Sequence, residues 1–197
     1  MKKYLICDLD GCLIDSSWIW QVNKTLKLVP PQCWEYFEQN ANASWNKIDD
    51  VLLDYLKEHI ESGTKILFLT ARSTNIKDET IGFIQSRTGL VHYVDFDCEF
   101  RSPEDNSSPA DYKSRVIDKY IKAGATFEIA IDDDKSVVDM YKNKGINAVR
   151  WQIGFLPLDF IDDFDVKTLT DDDLYNLFED LINEMNKRKA EEQKQNG

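Results

Sequence analysis

Asp8 and Asp10 close a short apolar run, Tyr4-Leu5-Ile6-Cys7, and Gly11 follows them at once. In extended backbone, residues two apart face the same side, so these two carboxylates point the same way. Gly11 lets the chain turn sharply just beyond them. A second acid group, Asp132-Asp133-Asp134, ends the apolar run 127–131, and Thr70-Ala71-Arg72 ends the run 65–70. Carboxylates gathered at one edge repel unless a hard cation lies between them. Mg²⁺ suits a few carboxylates together with water and a phosphate. A carboxylate can also attack phosphorus. A structural reading stands beside this one, because Asp132 and Asp133 precede a helix and would serve as N-caps.

Such a gathering needs a scaffold that brings strand ends together. Strands are expected at 4–8, 65–70, 90–96, 127–131 and 147–152. Helices fit between them. Ile48, Val51, Leu52, Tyr55, Leu56 and Ile60 recur at helical spacing, and others are expected over about 77–87, around Val116–Ile121 and around Val137–Tyr141. A last helix carries Leu174 to Met185, with Thr170 as its N-cap. This alternation predicts an α/β fold with a Rossmann-like parallel sheet, whose ligands bind at the carboxyl ends of the strands. Two segments break the rhythm. Residues 16–45 hold Trp18, Trp20, Trp34 and Trp45 besides Pro30-Pro31 and read as a small cap insertion; the polar stretch 97–112 reads as a long loop. The expected organisation is a core over 1–160, carrying that cap, and a C-terminal helical extension over 161–197.

The chain has 197 residues, enough for one sizeable core, and a net charge of −12. That balance excludes a uniformly basic nucleic-acid-coating surface, though not a local groove. No apolar run approaches a membrane span. Asp8 and Asp10 interrupt the first apolar run too early for a signal peptide. Cys7, Cys12, Cys33 and Cys98 form no CxxC pair and read as free thiols in a reducing, cytoplasmic compartment. His59 and His92 stand apart and suggest no zinc site.

Taken together, the set resembles the haloacid dehalogenase (HAD) superfamily. Leu5-Ile6-Cys7-Asp8-Leu9-Asp10-Gly11-Cys12 matches that family's hhhDxDGT motif, with Cys12 in place of threonine. Thr70 matches the second motif, Lys113 the third, and Asp132 with Asp133 the fourth, in family order. Lys119 and Lys122 compete for the third but lie deeper in their helix. A narrower likeness, carried by Leu69–Ser73, the 101–113 loop, Ile131-Asp132-Asp133 and Trp151-Gln152, is to the phosphatase half of bacteriophage polynucleotide kinase-phosphatase. The P-loop of a kinase half is not present in the sequence.

The resemblance implies a Mg²⁺-dependent phosphomonoesterase working through an aspartyl phosphate. Asp8 is the expected nucleophile and Asp10 the acid and base. Thr70, Arg72 and Lys113 are expected on the phosphate. The expected metal ligands are Asp8, Asp10 through its backbone carbonyl, and Asp132 or Asp133. The implied substrate is a nucleotide or a nucleic-acid 3′-phosphate end. A small-molecule nucleotidase or general acid phosphatase, transfer to an acceptor other than water, and a non-catalytic phosphate-binding or regulatory module stay open. So does a nucleophilic Cys12. The cap aromatics either stack on bases or pack the insertion onto the core. The sequence implies no protein partner and no membrane.

Overall fold

A computed structural model describes residues 2–153. The helix expected over 174–185 and the extension from 161 onward lie outside the described residues.

Five parallel strands form the central sheet. They are β1 (Lys3–Cys7), β4 (Lys65–Ser73), β5 (Phe96–Arg101), β6 (Thr126–Asp132) and β7 (Ala148–Arg150), in the order β5-β4-β1-β6-β7. β1 lies at the centre, with β4 and β6 on either side. The sheet direction therefore brings the ends of β1, β4 and β6 together at one edge, and all three carry candidate site residues. The helices are α3 (Asp50–Glu61), α4 (Lys77–Thr88), α5 (Pro109–Lys122) and α6 (Lys135–Asn143). Alternate residues of β1 face opposite layers. Leu5 and Cys7 pack with Leu52, Leu56, Ile84 and Phe96 on one face. Tyr4 and Ile6 pack with Val116, Ile117, Val137 and Tyr141 on the other. A strand buried on both faces reads as a continuous apolar run, which is why β1 and β4 stand out in the sequence.

The 90–96 strand is corrected. Residues 91–95 turn back on themselves. The Val91 N–H donates to the Asp95 carboxylate, Tyr93 takes φ +66°, and Val94 and Asp95 N–H groups donate to the Val91 carbonyl. The 97–112 loop is corrected with it, since 97–101 belongs to β5 and 109–112 to α5. β5 is an edge strand with period-two alternation. Phe96 and Phe100 are buried in the core, while Asp97 accepts from Tyr4 and Lys65 and Glu99 accepts from Tyr120. Its polar half concealed a strand whose acids all have partners. Ser108 caps α5 through Asp111 N–H, and Pro109 occupies the first turn, where its missing N–H costs nothing.

The cap is two short helices, α1 (Ser17–Thr25) and α2 (Gln32–Asn40), framed by the antiparallel pair β2 (Ile14–Asp15) and β3 (Lys47–Ile48). Buried Asn46 organises it. Its amide donates to the Asn40 and Ala41 carbonyls, and its oxygen accepts from Trp18 Nε1 at 2.7 Å. Cys7, Cys12, Cys33 and Cys98 are all free thiols. Among the described residues no helix is long and apolar enough to cross a membrane.

Candidate active site

The carboxyl edge of the sheet gathers Asp8, Asp10, Lys113, Asp132 and Asp133 around one cavity of about 430 Å³. Asp8 follows β1 directly, and its N–H donates to the Ile131 carbonyl of β6, locking the two strand ends in register. Lys113 projects from the second turn of α5 and is 2 % exposed. Its ammonium donates to Asp132 Oδ2 at 2.7 Å and lies 3.0 Å from Asp8 Oδ1. The Asp8 contact is an ion pair without hydrogen-bond geometry, and Oδ1 is left with no hydrogen bond.

Asp133 completes the group. One oxygen from each of Asp8, Asp132 and Asp133 lies within 4.8 Å of the others. Three carboxylates thus face a single ammonium. Burial pushes Asp8 up, and although Lys113 opposes this, Asp132 and Asp10 add to it. Burial and the charge of Asp8 raise Asp133 to about 7. Burial works against the charge of Lys113, but Asp132 and Asp8 outweigh it and keep the ammonium protonated. The chemistry of this donor set suits Mg²⁺: hard oxygen ligands, an unbonded carboxylate oxygen and surplus negative charge.

Gly11 makes the approach of Asp133 feasible. It holds φ +79°, and a Cβ there would stand 2.5 Å from Asp133 Oδ2. The strap after β7 braces the same turn. Ile153 N–H donates to the Gly11 carbonyl, Trp151 N–H to the Asp132 carbonyl, and Trp151 Nε1 to Asp49. Cys12 is fully buried, and its thiol donates to the Trp151 carbonyl at 3.6 Å. Burial and the neighbouring Asp8 push that thiol's pKa up, the wrong direction for a nucleophile.

Asp10 turns toward β4 rather than toward Lys113. Arg72 holds it with two bonds of 2.8 Å, Nε to Oδ2 and Nη2 to Oδ1. The remaining N–H groups of Arg72 go to Asn42, Thr80 and the Ala41 carbonyl. The sequence assigned Arg72 to the phosphate; in the structure its five donors all have protein acceptors. Asn42 and Thr80, isolated polar residues in a turn and a helix, carried no sequence signal of this role. Thr70 is 1 % exposed and sits behind the cavity wall, where Ala71 is the lining residue. Its oxygen accepts the Arg72 N–H at 3.1 Å. Lys119 and Lys122 lie in the last turn of α5, away from this edge.

The model for the phosphatase domain of polynucleotide kinase PNKP matches residues 32–155. The match starts downstream of Asp8 and Asp10, so the placement of those two rests on the geometry above. No curated protein sequence matches the chain. Similar folds occur in several solved structures. A chain of the Pnkp1/Rnl/Hen1 RNA repair complex superposes with a TM-score of 0.59 at 21 % identity, covering 79 % of this chain and 44 % of that one. This chain therefore spans less than half of its length. The class C acid phosphatase of Bacillus anthracis, with tungstate bound, gives 0.57 at 14 % identity over 91 % of this chain and 78 % of that one. A haloacid dehalogenase-like hydrolase of Streptococcus pneumoniae gives 0.53 at 19 % identity over 78 % and 87 %. With a five-stranded parallel sheet, an acid-rich edge and a family match across more than half its residues, this chain belongs to the PNKP phosphatase-domain family and is a phosphatase of the haloacid dehalogenase superfamily.

Proposed function

We propose that the protein is a Mg²⁺-dependent phosphomonoesterase acting through an aspartyl phosphate on Asp8, with a nucleotide or a nucleic-acid 3′-phosphate end as substrate. The observation that carries the reading is the position of the Lys113 ammonium between Asp8 and Asp132, with Asp133 completing the acid group.

In this reading, a free oxygen of Asp8 attacks phosphorus, and the bond to the leaving oxygen breaks. Asp10 donates the proton which that oxygen needs. It then takes a proton from the water that cleaves the aspartyl phosphate. Lys113 offsets charge on the transferred group and favours the ionised form of Asp8 against burial and the neighbouring acids. The Thr70 hydroxyl, behind the cavity wall, accepts the Arg72 N–H and so braces the strand end that carries Arg72, rather than reaching the phosphate itself. Arg72 serves as a positioning residue, aiming the Asp10 carboxylate. Mg²⁺, held by Asp8, the Asp10 carbonyl and Asp132 or Asp133, supplies charge neutralisation and alignment of the phosphate.

The nucleic-acid end is favoured by the family, whose name specifies a polynucleotide enzyme. The free nucleotide is favoured by the net charge of −12. We assign the core to residues 1–160, with the cap at about 16–45. Turnover of a 3′-phosphorylated oligonucleotide, nucleoside monophosphates and a sugar phosphate, with and without Mg²⁺, tests the assignment. Cleavage of the nucleic-acid or nucleotide substrates that requires Mg²⁺ and is lost in Asp8→Asn is the expected result. Cleavage of the sugar phosphate alone overturns the substrate class, and activity surviving in Asp8→Asn overturns the mechanism.

A further inference from the structure

Trp20, on the second turn of the cap helix α1, lines the same cavity as Asp8 and Lys113. It is 41 % exposed, although it is held firmly. One face of its indole stacks on Phe37, with centroids 5.2 Å apart and planes at 23°. Trp34 meets it edge-on at 5.4 Å. Behind it, Phe37 lies under the Arg72 guanidinium at 5.9 Å, the same guanidinium that holds Asp10. The indole thus has a seat anchored to the catalytic edge and a surface left open to the cavity.

The cavity itself restricts what can lie on that surface. At about 430 Å³ it accommodates one nucleoside phosphate, in the lower part of the range of small-molecule pockets. Six aspartates and one lysine line it among the described residues, and that lysine is engaged with Asp8 and Asp132. No cation there is left to receive a second phosphate. The part of the substrate that lies inside the cavity is therefore uncharged beyond the phosphate removed, and it meets a flat aromatic surface.

We infer that Trp20 is a specificity-determining residue, a stacking platform for the heterocyclic base of the nucleoside whose phosphate is removed. This rests on the phosphatase reading above and narrows it. A base on a pre-seated indole gains stacking energy without ordering a mobile side chain.

Two variants that keep a bulky apolar side chain separate stacking from packing. The probes are thymidine 3′-monophosphate and deoxyribose 3-phosphate, which carries the same ester without a base. The wild type should prefer the nucleotide in kcat/KM by on the order of ten-fold or more. Trp20→Phe should keep most of that preference, whereas Trp20→Leu should erase it, chiefly through KM. Equal losses on both substrates in Trp20→Leu, or a preference that survives it, overturn the platform. A wild type that does not distinguish the two substrates overturns it as well. Asp8→Asn, run beside them, identifies the cause. Loss of all turnover there leaves the phosphatase reading standing while the platform falls, and persisting turnover removes the reading beneath it.

Discussion

Arg72 grips both carboxylate oxygens of Asp10 at 2.8 Å, and the same guanidinium reaches the Ala41 carbonyl and Asn42 at the end of cap helix α2. The Asp10 carboxylate, the acid of the proposed mechanism, is therefore held by a planar, two-pronged contact that also ties the cap to the core. A lysine keeps the charge but loses the fork. Arg72→Lys should lower kcat on an alkyl phosphomonoester by about 100-fold, the usual worth of a positioned acid. Its effect on an aryl phosphate should be much smaller, since that leaving group needs little protonation. Steady-state kinetics on the pair measures this, and equal losses would show that Arg72 does something other than orient Asp10.

Gly11 is pinned by two independent demands, φ +79° and the close approach of Asp133. The left-handed conformation alone costs a non-glycine residue about 1–2 kcal/mol. The added methyl must also displace a carboxylate of the acid group. Gly11→Ala should lower the urea midpoint and reduce the thermal stabilisation given by Mg²⁺. A variant with wild-type Mg²⁺ response would contradict the packing of Asp133 against this turn.

Cys12 is oriented toward the Trp151 carbonyl and away from solvent. Its work is to hold the strap, and a hydroxyl can do the same. Cys12→Thr and Cys12→Ser should retain turnover within about three-fold, since a neutral hydrogen bond contributes only around 1 kcal/mol. The folded wild type should resist thiol reagents, losing activity only on the timescale of unfolding. Rapid inactivation of the folded enzyme by modification at Cys12 is the contrary outcome.

On the proposed reading, the acid group would couple Mg²⁺ binding to pH. Burial and Asp8 raise Asp133 to about 7, and burial raises Asp8 in the same direction from an ordinary value of 3.8. Without metal, the folded chain holds protons here that the unfolded chain has already released. Stability from these two groups therefore declines as pH rises from about 4 toward 7. Mg²⁺ requires the ionised carboxylates and displaces those protons. The Mg²⁺-induced rise in Tm should accordingly grow between about pH 6 and pH 8, and thermal melts with and without the ion measure it. A shift that is flat or shrinks over that range contradicts the arrangement.

The sequence disclosed the parts of the fold that are buried on both faces. β1 and β4 are uninterrupted apolar runs, and their terminal acids and threonine stand out against them. β5 was illegible because an edge strand carries polar residues on one side. Asp97 and Glu99 look like loop residues until Tyr4, Lys65 and Tyr120 are seen to pair with them. Lys113 was found through a motif, yet its burial between two aspartates depends on tertiary packing that spacing does not encode. Arg72 was assigned by resemblance to the phosphate. Its bonds to Asp10, Asn42 and Thr80 join residues from four separate segments, and no local pattern reports such a meeting.

The central claim is a covalent phosphate on Asp8. Rapid quenching in acid of a reaction with phosphorus-labelled substrate and Mg²⁺ tests it directly. Wild type should yield protein-bound label that is stable in acid and released by hydroxylamine, and Asp8→Asn should yield none. Turnover without any labelled protein, or label that persists in Asp8→Asn, would place the chemistry on another group.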